Sequence, residues 1–313
     1  MSTYKLDSKE SKHLQNQLEK IEEQIYELDF PMLKATSVLP VEVVGAGFQT
    51  VGYKQIQRVG KAKFIGNGDN TLTSVNSSKK KFTEDVKHLA TSYNFTLIDL
   101  RESMRSGEDL QAEDAETAKE VIAQDTDDIG FFGDSEEAVP GLISNIDILT
   151  VYTPLADGVG ATTADKKKFL NKTPSQITRD MGLIAGEVRK ATKDSHQATI
   201  MLIPLSLDIF ISTTYVDELK MTIKQALLYN NPGMKIESLS KFDNVTTDTL
   251  TNKNPIVAYP LDKRVLKFHI PSPFEQLLPE TSNGLEWTVA CLEDVAGVMF
   301  PKPKAVVVCH EVW

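Results

Sequence analysis

Apolar residues recur along this chain with two different periods, and the changes of period mark out its elements. From Ser11 to Leu28 the residues Leu14, Leu18, Ile21, Ile25 and Leu28 alternate steps of four and three between Glu, Lys and Gln. That spacing puts one narrow apolar stripe on an amphipathic helix. Pro31 ends it. The stripe covers only about two heptads, fewer than a sustained coiled coil shows. A helix docked on its own or a neighbouring subunit is therefore expected.

Short strand-like runs follow, Val51 to Val59 and Lys61 to Ile65, punctuated by Gly45, Gly47, Gly52, Gly60, Gly66 and Gly68, with the turn sequence Asn67-Gly68-Asp69-Asn70 beyond them. The stretch from Val41 to Phe82 holds too few large apolar residues for a core of its own and predicts a projecting hairpin. Phe95 to Ile98 is apolar. Ser106 or Asp109 then stands where a cap is needed for a helix to about Gln124, with Leu110, Ala115, Ala118, Val121 and Ile122 inward.

After a short strand at Ile148 to Val151, Pro154 to Lys172 reads as an exposed loop. Thr173, Pro174 and Gln176 form a capping box with proline in the first turn. The helix they open has Ile177, Met181, Ile184, Val188 and Ala191 on its inner face. Thr199 to Ile203 reads as a buried strand, Tyr215 to Tyr229 as a second helix stopped by Asn231-Pro232-Gly233, and Met234 to Leu239 as another strand. That order makes a compact α/β lobe. The remainder, Ile256 to Tyr259, Val265 to Ile270, Leu285 to Cys291 and Ala305 to Val308, is mostly β with Pro-rich joints.

Charge changes this picture because it is segregated. Between Val43 and Glu84 the hairpin stretch carries Lys54, Arg58, Lys61, Lys63, Lys79, Lys80 and Lys81 against Asp69 alone. From Glu108 to Glu137 the balance reverses, with twelve carboxylates and Lys119 as the only cation. The net charge of -10 over 313 residues argues against a general nucleic-acid binder. The N-terminus has no apolar signal region and no window approaches a membrane span, so a cytoplasmic protein is expected. Cys291 and Cys309 lie in two separate predicted strands and read as buried reduced thiols.

Candidate chemistry is sparse. Gly45-Ala46-Gly47 resembles the start of a dinucleotide turn, but Thr50 stands at the third glycine position. Asp125, Asp127, Gly130 and Glu136 copy four positions of a calcium loop, yet Ile129 replaces an oxygen ligand and Pro140 follows where an exit helix belongs. A turn rich in solvated carboxylates is expected there. The five histidines show no zinc-helix spacing, and no nucleophile elbow occurs. Gly182 and Gly186, four apart on a helix, suggest close approach of a neighbouring element.

One order of features goes further. A basic Gly-rich arm precedes an acidic, Ala-rich helix, which runs into Gly130-Phe131-Phe132-Gly133-Asp134, then Gly141-Leu142-Ile143-Ser144-Asn145, then an α/β segment. Near the C-terminus a strand leads to Pro271, Pro273, Phe274, Glu275 and Gln276, then Gly297-Val298, Phe300-Pro301 and a last apolar strand. In order and spacing this resembles the major capsid proteins of tailed bacteriophages. The resemblance implies an α+β subunit of the Hong Kong 97 type, with an N-terminal arm (1–40) and an extended loop (41–82). It also implies a peripheral domain (83–147 and 255–313) with a spine helix at about 108–124, and an axial α/β domain (148–254) to which some C-terminal strands return.

The implied function is structural: self-assembly into the icosahedral shell that encloses double-stranded DNA, in the virion capsid, built in the host bacterial cytoplasm. No catalytic residue, cofactor or metal is implied. The implied partners are further copies in hexamers and pentamers, with scaffolding and portal proteins, while DNA is enclosed without sequence-specific binding and no membrane is involved. In that family the extended loop overlaps the adjacent subunit. The opposite charge blocks then suggest that Arg58, Lys61 and Lys63 meet Glu113, Glu116 and Glu120 on the neighbour's long helix. Two other readings stay open: an encapsulin-type nanocompartment of the same fold, and a soluble enzyme or binding module of unrelated α/β fold.

Overall fold

A computed structural model describes residues 32–64, 74–106, 110–144, 146–246, 253–281 and 284–310. The predicted helix at Ser11 to Leu28 and the turn at Asn67 to Asn70 lie outside the described residues. The chain divides into two compact units, Met1–Met32 and Leu33–Trp313, and the second contains the elements below.

A five-stranded sheet organises much of the core. In spatial order it runs β5 (Thr150–Val151), β16 (Val307–Cys309), β10 (Ile256–Tyr259), β6 (Ile200–Pro204) and β9 (Lys235–Leu239). β6 and β9 are parallel, whereas β10 is antiparallel to both β6 and β16. Because side chains alternate across a strand, the continuous apolar runs split between two faces. Met201, Ile203, Ile256, Ala258, Val307 and Cys309 join one buried cluster, and Leu202, Val257, Tyr259 and Val308 join another. Burial on both faces is why these strands read as unbroken apolar segments.

The remaining strands make smaller sheets. β1 (Val41–Glu42), β11 (Lys267–His269) and β15 (Gly297–Met299) form a three-stranded sheet, and β4 (Lys87–Thr96) pairs along its whole length with β14 (Glu286–Val295), flanked by β12 (Glu275–Gln276) and β13 (Glu280–Thr281). Among the described residues, β2 (Thr50–Val59) and β3 (Asn76–Asp85) pair only with each other, and so do β7 (Tyr215–Val216) and β8 (Met221–Thr222). Cys291 on β14 and Cys309 on β16 are buried, in different sheets, and form no disulfide.

The helices are α1 (Ala35–Val38), α2 (Leu97–Ser106), α3 (Leu110–Phe132), α4 (Thr163–Lys167), α5 (Pro174–Ala191), α6 (Leu205–Thr213) and α7 (Ile223–Asn230). α5 begins as its sequence predicts, with Thr173 and Gln176 bonded reciprocally in a capping box. Its apolar face covers the five-stranded sheet, and Ile177, Met181, Ile184 and Val188 are fully buried.

Several expectations need correcting. The helix expected from Tyr215 to Tyr229 is instead the β7–β8 ribbon followed by α7, because Lys220 adopts φ 53° in a tight turn and Thr222 builds a second capping box with Gln225. The segment before it, Leu205 to Thr213, is helical although its sequence lacks a clean amphipathic period. The spine helix does not stop near Gln124 but continues to Phe132. Its last turns therefore contain Asp125, Asp127 and Gly130, so the calcium-like spacing is wound into a helix and forms no ligand loop. Around Gly182 and Gly186 no atom among the described residues lies within 4 Å of where a Cβ would stand, so no described element of this chain approaches there.

Gly133 marks the exit from α3. It adopts φ +72°, and a Cβ there would meet the Val139 carbonyl oxygen at 2.4 Å. Only glycine fits both the left-handed backbone and the close chain crossing.

Candidate inter-subunit surfaces

The β2–β3 hairpin shows how a segment can be well paired yet lack a core. Ten residue pairs join its strands, from Thr50↔Asp85 to Val59↔Asn76. The base is held to the body: Tyr53 stacks on Phe82 with ring centroids 5.1 Å apart, and its hydroxyl donates to the Phe300 carbonyl oxygen at 3.0 Å. Burial, with Glu84 nearby, pushes the Tyr53 pKa up. Val51, Val86, Ala296 and Met299 close a small apolar cluster beneath it. Past this base the side chains are exposed, including Ile56, Val59 and Phe64.

Register sorts the hairpin's charges. Lys54 lies opposite Lys81, Ile56 opposite Lys79 and Arg58 opposite Ser77, so these residues share one face. Phe82 and Glu84 belong to the other. Arg58, Lys61 and Lys63 are all exposed, Arg58 near the end of β2 and the two lysines just beyond it.

α3 packs against β4 and β14, burying Ala118 and Ile122 beside Cys291. Glu113 and Glu116 are exposed on its other side and Glu120 is half-buried. The predicted basic and acidic residues thus stand on two separate elements of one chain. Following the helix, Asp134 accepts hydrogen bonds from the backbone N–H of Glu136 and Glu137 and holds the connector in a turn. A cavity of about 490 Å³ opens beside it, lined by Glu84, Phe132, Gly133, Asp134 and Pro140 among others. Burial, reinforced by Asp85, raises the pKa of Glu84.

Two buried charge clusters escaped the sequence reading. Asp127, only 3% exposed, accepts the backbone N–H of Lys34 at 2.7 Å and of Ala35 at 2.6 Å, while the Lys241 ammonium lies 2.7 Å from its other oxygen. One carboxylate therefore joins α1, α3 and the segment after β9. Gly130 allows the same contact, since a Cβ there would stand 2.9 Å from the Ala35 Cβ. In the α/β region the fully buried Lys172 ammonium pairs with Asp180 and donates to the Leu155 carbonyl oxygen at 2.7 Å. Arg179 bridges Asp180 and Asp157, and its hydrogen bond lowers the Asp157 pKa. Burial, with Asp180 nearby, pushes the Tyr152 pKa up to about 12. The Asp127 cluster has no local sequence signal because its partners lie 92 to 114 residues away, whereas the Lys172–Asp180 pair is only eight residues apart and was not singled out.

Among the described residues no group of three or more His, Cys, Asp or Glu side chains is arranged to hold a metal ion, and no helix is long and apolar enough to cross a membrane.

Solved structures share this architecture. The capsid of Myoviridae phage XM1 aligns with a TM-score of 0.75 at 17% identity, covering 94% of this chain and 97% of that one. Mycobacterium phage Adephagia gives 0.61 at 11% identity, with 98% of both chains covered. The virus-like particle from Pyrococcus furiosus gives 0.50 at 15% identity, covering 90% and 92%. At such identities the likeness establishes the fold, which is the Hong Kong 97 type. No curated protein matches the chain. A family model described as major capsid protein matches residues 60–312. This chain belongs to that family, and it is a structural protein that assembles with copies of itself into the shell of a tailed phage.

Proposed function

We propose that the subunit builds pentamers and hexamers by laying its basic hairpin over the acidic spine helix of the next copy. The observation that carries this reading is the separation of charge on exposed surfaces of one subunit. Arg58, Lys61 and Lys63 stand on the hairpin, and Glu113, Glu116 and Glu120 on α3. An exposed pair of this kind contributes only about 0 to 1 kcal/mol. Repeated at every interface, such pairs set register and penalise wrong packings.

In this reading the hairpin is the extended loop, α3 with the β4–β14 sheet forms the peripheral domain, and the five-stranded sheet with α5 to α7 forms the axial domain. The shell encloses double-stranded DNA without sequence-specific contacts, is built in the host bacterial cytoplasm with scaffolding and portal proteins, and performs no catalysis. The match to the major capsid protein family supports a virion over a cargo-storing compartment.

Reversing Lys61 and Lys63 to Glu tests the contact. The expected outcome is a folded subunit, unchanged by circular dichroism, that yields about tenfold fewer particles on sedimentation because like charges now face each other. Unchanged particle yield would exclude it.

A further inference from the structure

Between the hairpin and the end of α5 lies a second cavity, and its lining is basic. About 310 Å³ in volume, it is bounded by Gln55, Thr192, Ser195, His196, Lys302 and Lys304 among others, and no Asp or Glu is among the described residues that line it. In a chain with 44 Asp and Glu against 34 Lys and Arg, such a lining needs a reason.

Local sequence builds both walls. One is the run Pro301-Lys302-Pro303-Lys304, in which each proline fixes its own φ, so the two lysines stand on a stiff backbone. The Lys302 N–H donates to the Val265 carbonyl oxygen at 3.1 Å, and the Thr150 hydroxyl donates to the Lys304 carbonyl oxygen at 3.1 Å. The other wall is the turn after α5, closed by the Thr192 hydroxyl, which donates to the Val188 carbonyl oxygen at 2.7 Å and accepts the His196 N–H at 3.2 Å. That turn brings His196 Nε2 within 2.9 Å of Lys302 Nζ. An ammonium can only donate, so Nε2 accepts and the neutral imidazole positions Lys302 at the cavity. Burial first, and then Lys302, holds the His196 pKa below its ordinary value.

The carboxylates of the surrounding turns are already engaged. Asp194 pairs with Arg189 at 2.6 Å, and Asp262 accepts the backbone N–H of Arg264 at 2.8 Å. Among the described residues, neither Lys302 nor Lys304 has a carboxylate partner. Further cations flank the cavity on both sides. Gln55 stands directly opposite Lys80 on one face of the hairpin, and Arg264 lies close enough to His196 to oppose its protonation. A free phosphate ion would fill the cavity alone, whereas cations on either side suit an anion that repeats along a chain, as a nucleic-acid backbone does.

We propose that this cavity and its flanks hold backbone phosphates of the enclosed DNA, with Lys302 and Lys304 as the central contacts and Lys80 and Arg264 outside them. Such contacts read charge and carry no sequence information. They assign the face that bears the Pro-Lys-Pro-Lys run to the lumen of the shell. This inference rests on the shell reading above and adds which surface of the subunit meets the genome.

Fluorescence anisotropy of a short labelled DNA duplex with the full-length subunit, over a series of salt concentrations, tests it. Each lysine that neutralises a phosphate contributes about 0.9 to the slope of log affinity against log salt. Replacing Lys302 and Lys304, both exposed, with Ala is expected to lower that slope by about 1.8 while circular dichroism stays unchanged. Replacing Lys119 and Lys235, exposed elsewhere, with Ala removes the same charge and should leave the slope as it was. A wild-type subunit that does not bind the duplex at low salt, or a control pair that lowers the slope equally, would overturn the inference. An arm with inorganic phosphate separates the two sources of this anion: a chemical-shift change at His196 on adding phosphate but not on adding the duplex would assign a free-ion site and overturn the DNA contact. In DNA-filled particles Lys302 and Lys304 should be reductively methylated more slowly than in emptied ones, and equal rates would overturn the luminal assignment. Particle formation is scored separately by sedimentation. Wild-type protein that forms no particle under any salt or concentration would overturn the shell reading itself, whatever the subunit does with DNA.

Discussion

The β2–β3 hairpin and the five-stranded sheet are both held by hydrogen-bonded strand pairs, yet they rest on different physics. The inner strands β16, β10 and β6 of the central sheet are covered on two sides, and Leu202, Ile203, Val257 and Ala258 are completely buried. The hairpin has a covered base and then runs into solvent, with Ile56 and Val59 half exposed or more. Backbone pairing is common to both, so it cannot be what separates them. Apolar burial does that, at roughly 25 cal/mol for each Å² removed from water. The sheet meets its stability requirement inside one subunit. The hairpin carries exposed apolar area and unbalanced charge, which are the properties of a surface completed by another molecule.

The sharpest way to break this contrast is to place a charge inside the core on one face of the central sheet. Val257→Asp puts a carboxylate where no partner can reach it, and the expected loss is about 5 kcal/mol or more. Urea denaturation followed by circular dichroism would read this as an unfolded or aggregated subunit.

A smaller effect should come from pH at the three-stranded sheet. Among the described residues neither ring nitrogen of the buried His269 finds a hydrogen-bond partner, and burial, assisted by Lys267, holds its pKa below the ordinary 6.5. Glu42 acts in the opposite sense but is the weaker influence. Because the unfolded chain binds the proton more readily, this contribution is fully present above pH 6.5 and is lost as pH falls below it. The melting temperature should therefore decline on acidification through that window, and His269→Phe should flatten the decline.

The smallest effect on the isolated subunit is expected at the hairpin. Replacing Ile56 and Val59 together with Ser should change unfolding free energy by no more than about 0.5 kcal/mol, as for surface substitutions generally. A melting temperature that drops as steeply as in core variants would show that the hairpin is covered within its own subunit, and the contrast would collapse.

How much of this was legible in sequence depended on how local the deciding interaction was. The start of α5 was readable because Thr173, Pro174 and Gln176 lie within four positions and complete their bonds among themselves. The hairpin was readable from what it lacks, large apolar side chains. The end of α3 was not, because aspartates near a helix C-terminus oppose its dipole. The compensation comes from Lys34, Ala35 and Lys241, each about a hundred residues from Asp127. The β7–β8 ribbon hid for a related reason, since its apolar residues also satisfy a helical spacing until the turn at Lys220 is known. Of the candidate contact, the residue types and their exposure were visible, whereas the shared face of Lys54, Lys79 and Lys81 needed the strand register.

The junction at Asp127 has a mechanical meaning. Tension on the chain just before Leu33 is not absorbed locally, because Lys34 and Ala35 are bonded to the same carboxylate that holds Lys241. A pull at Lys34 is therefore shared with the last turns of α3 and with the segment that follows β9. That single side chain makes three distant segments of the subunit bear load together.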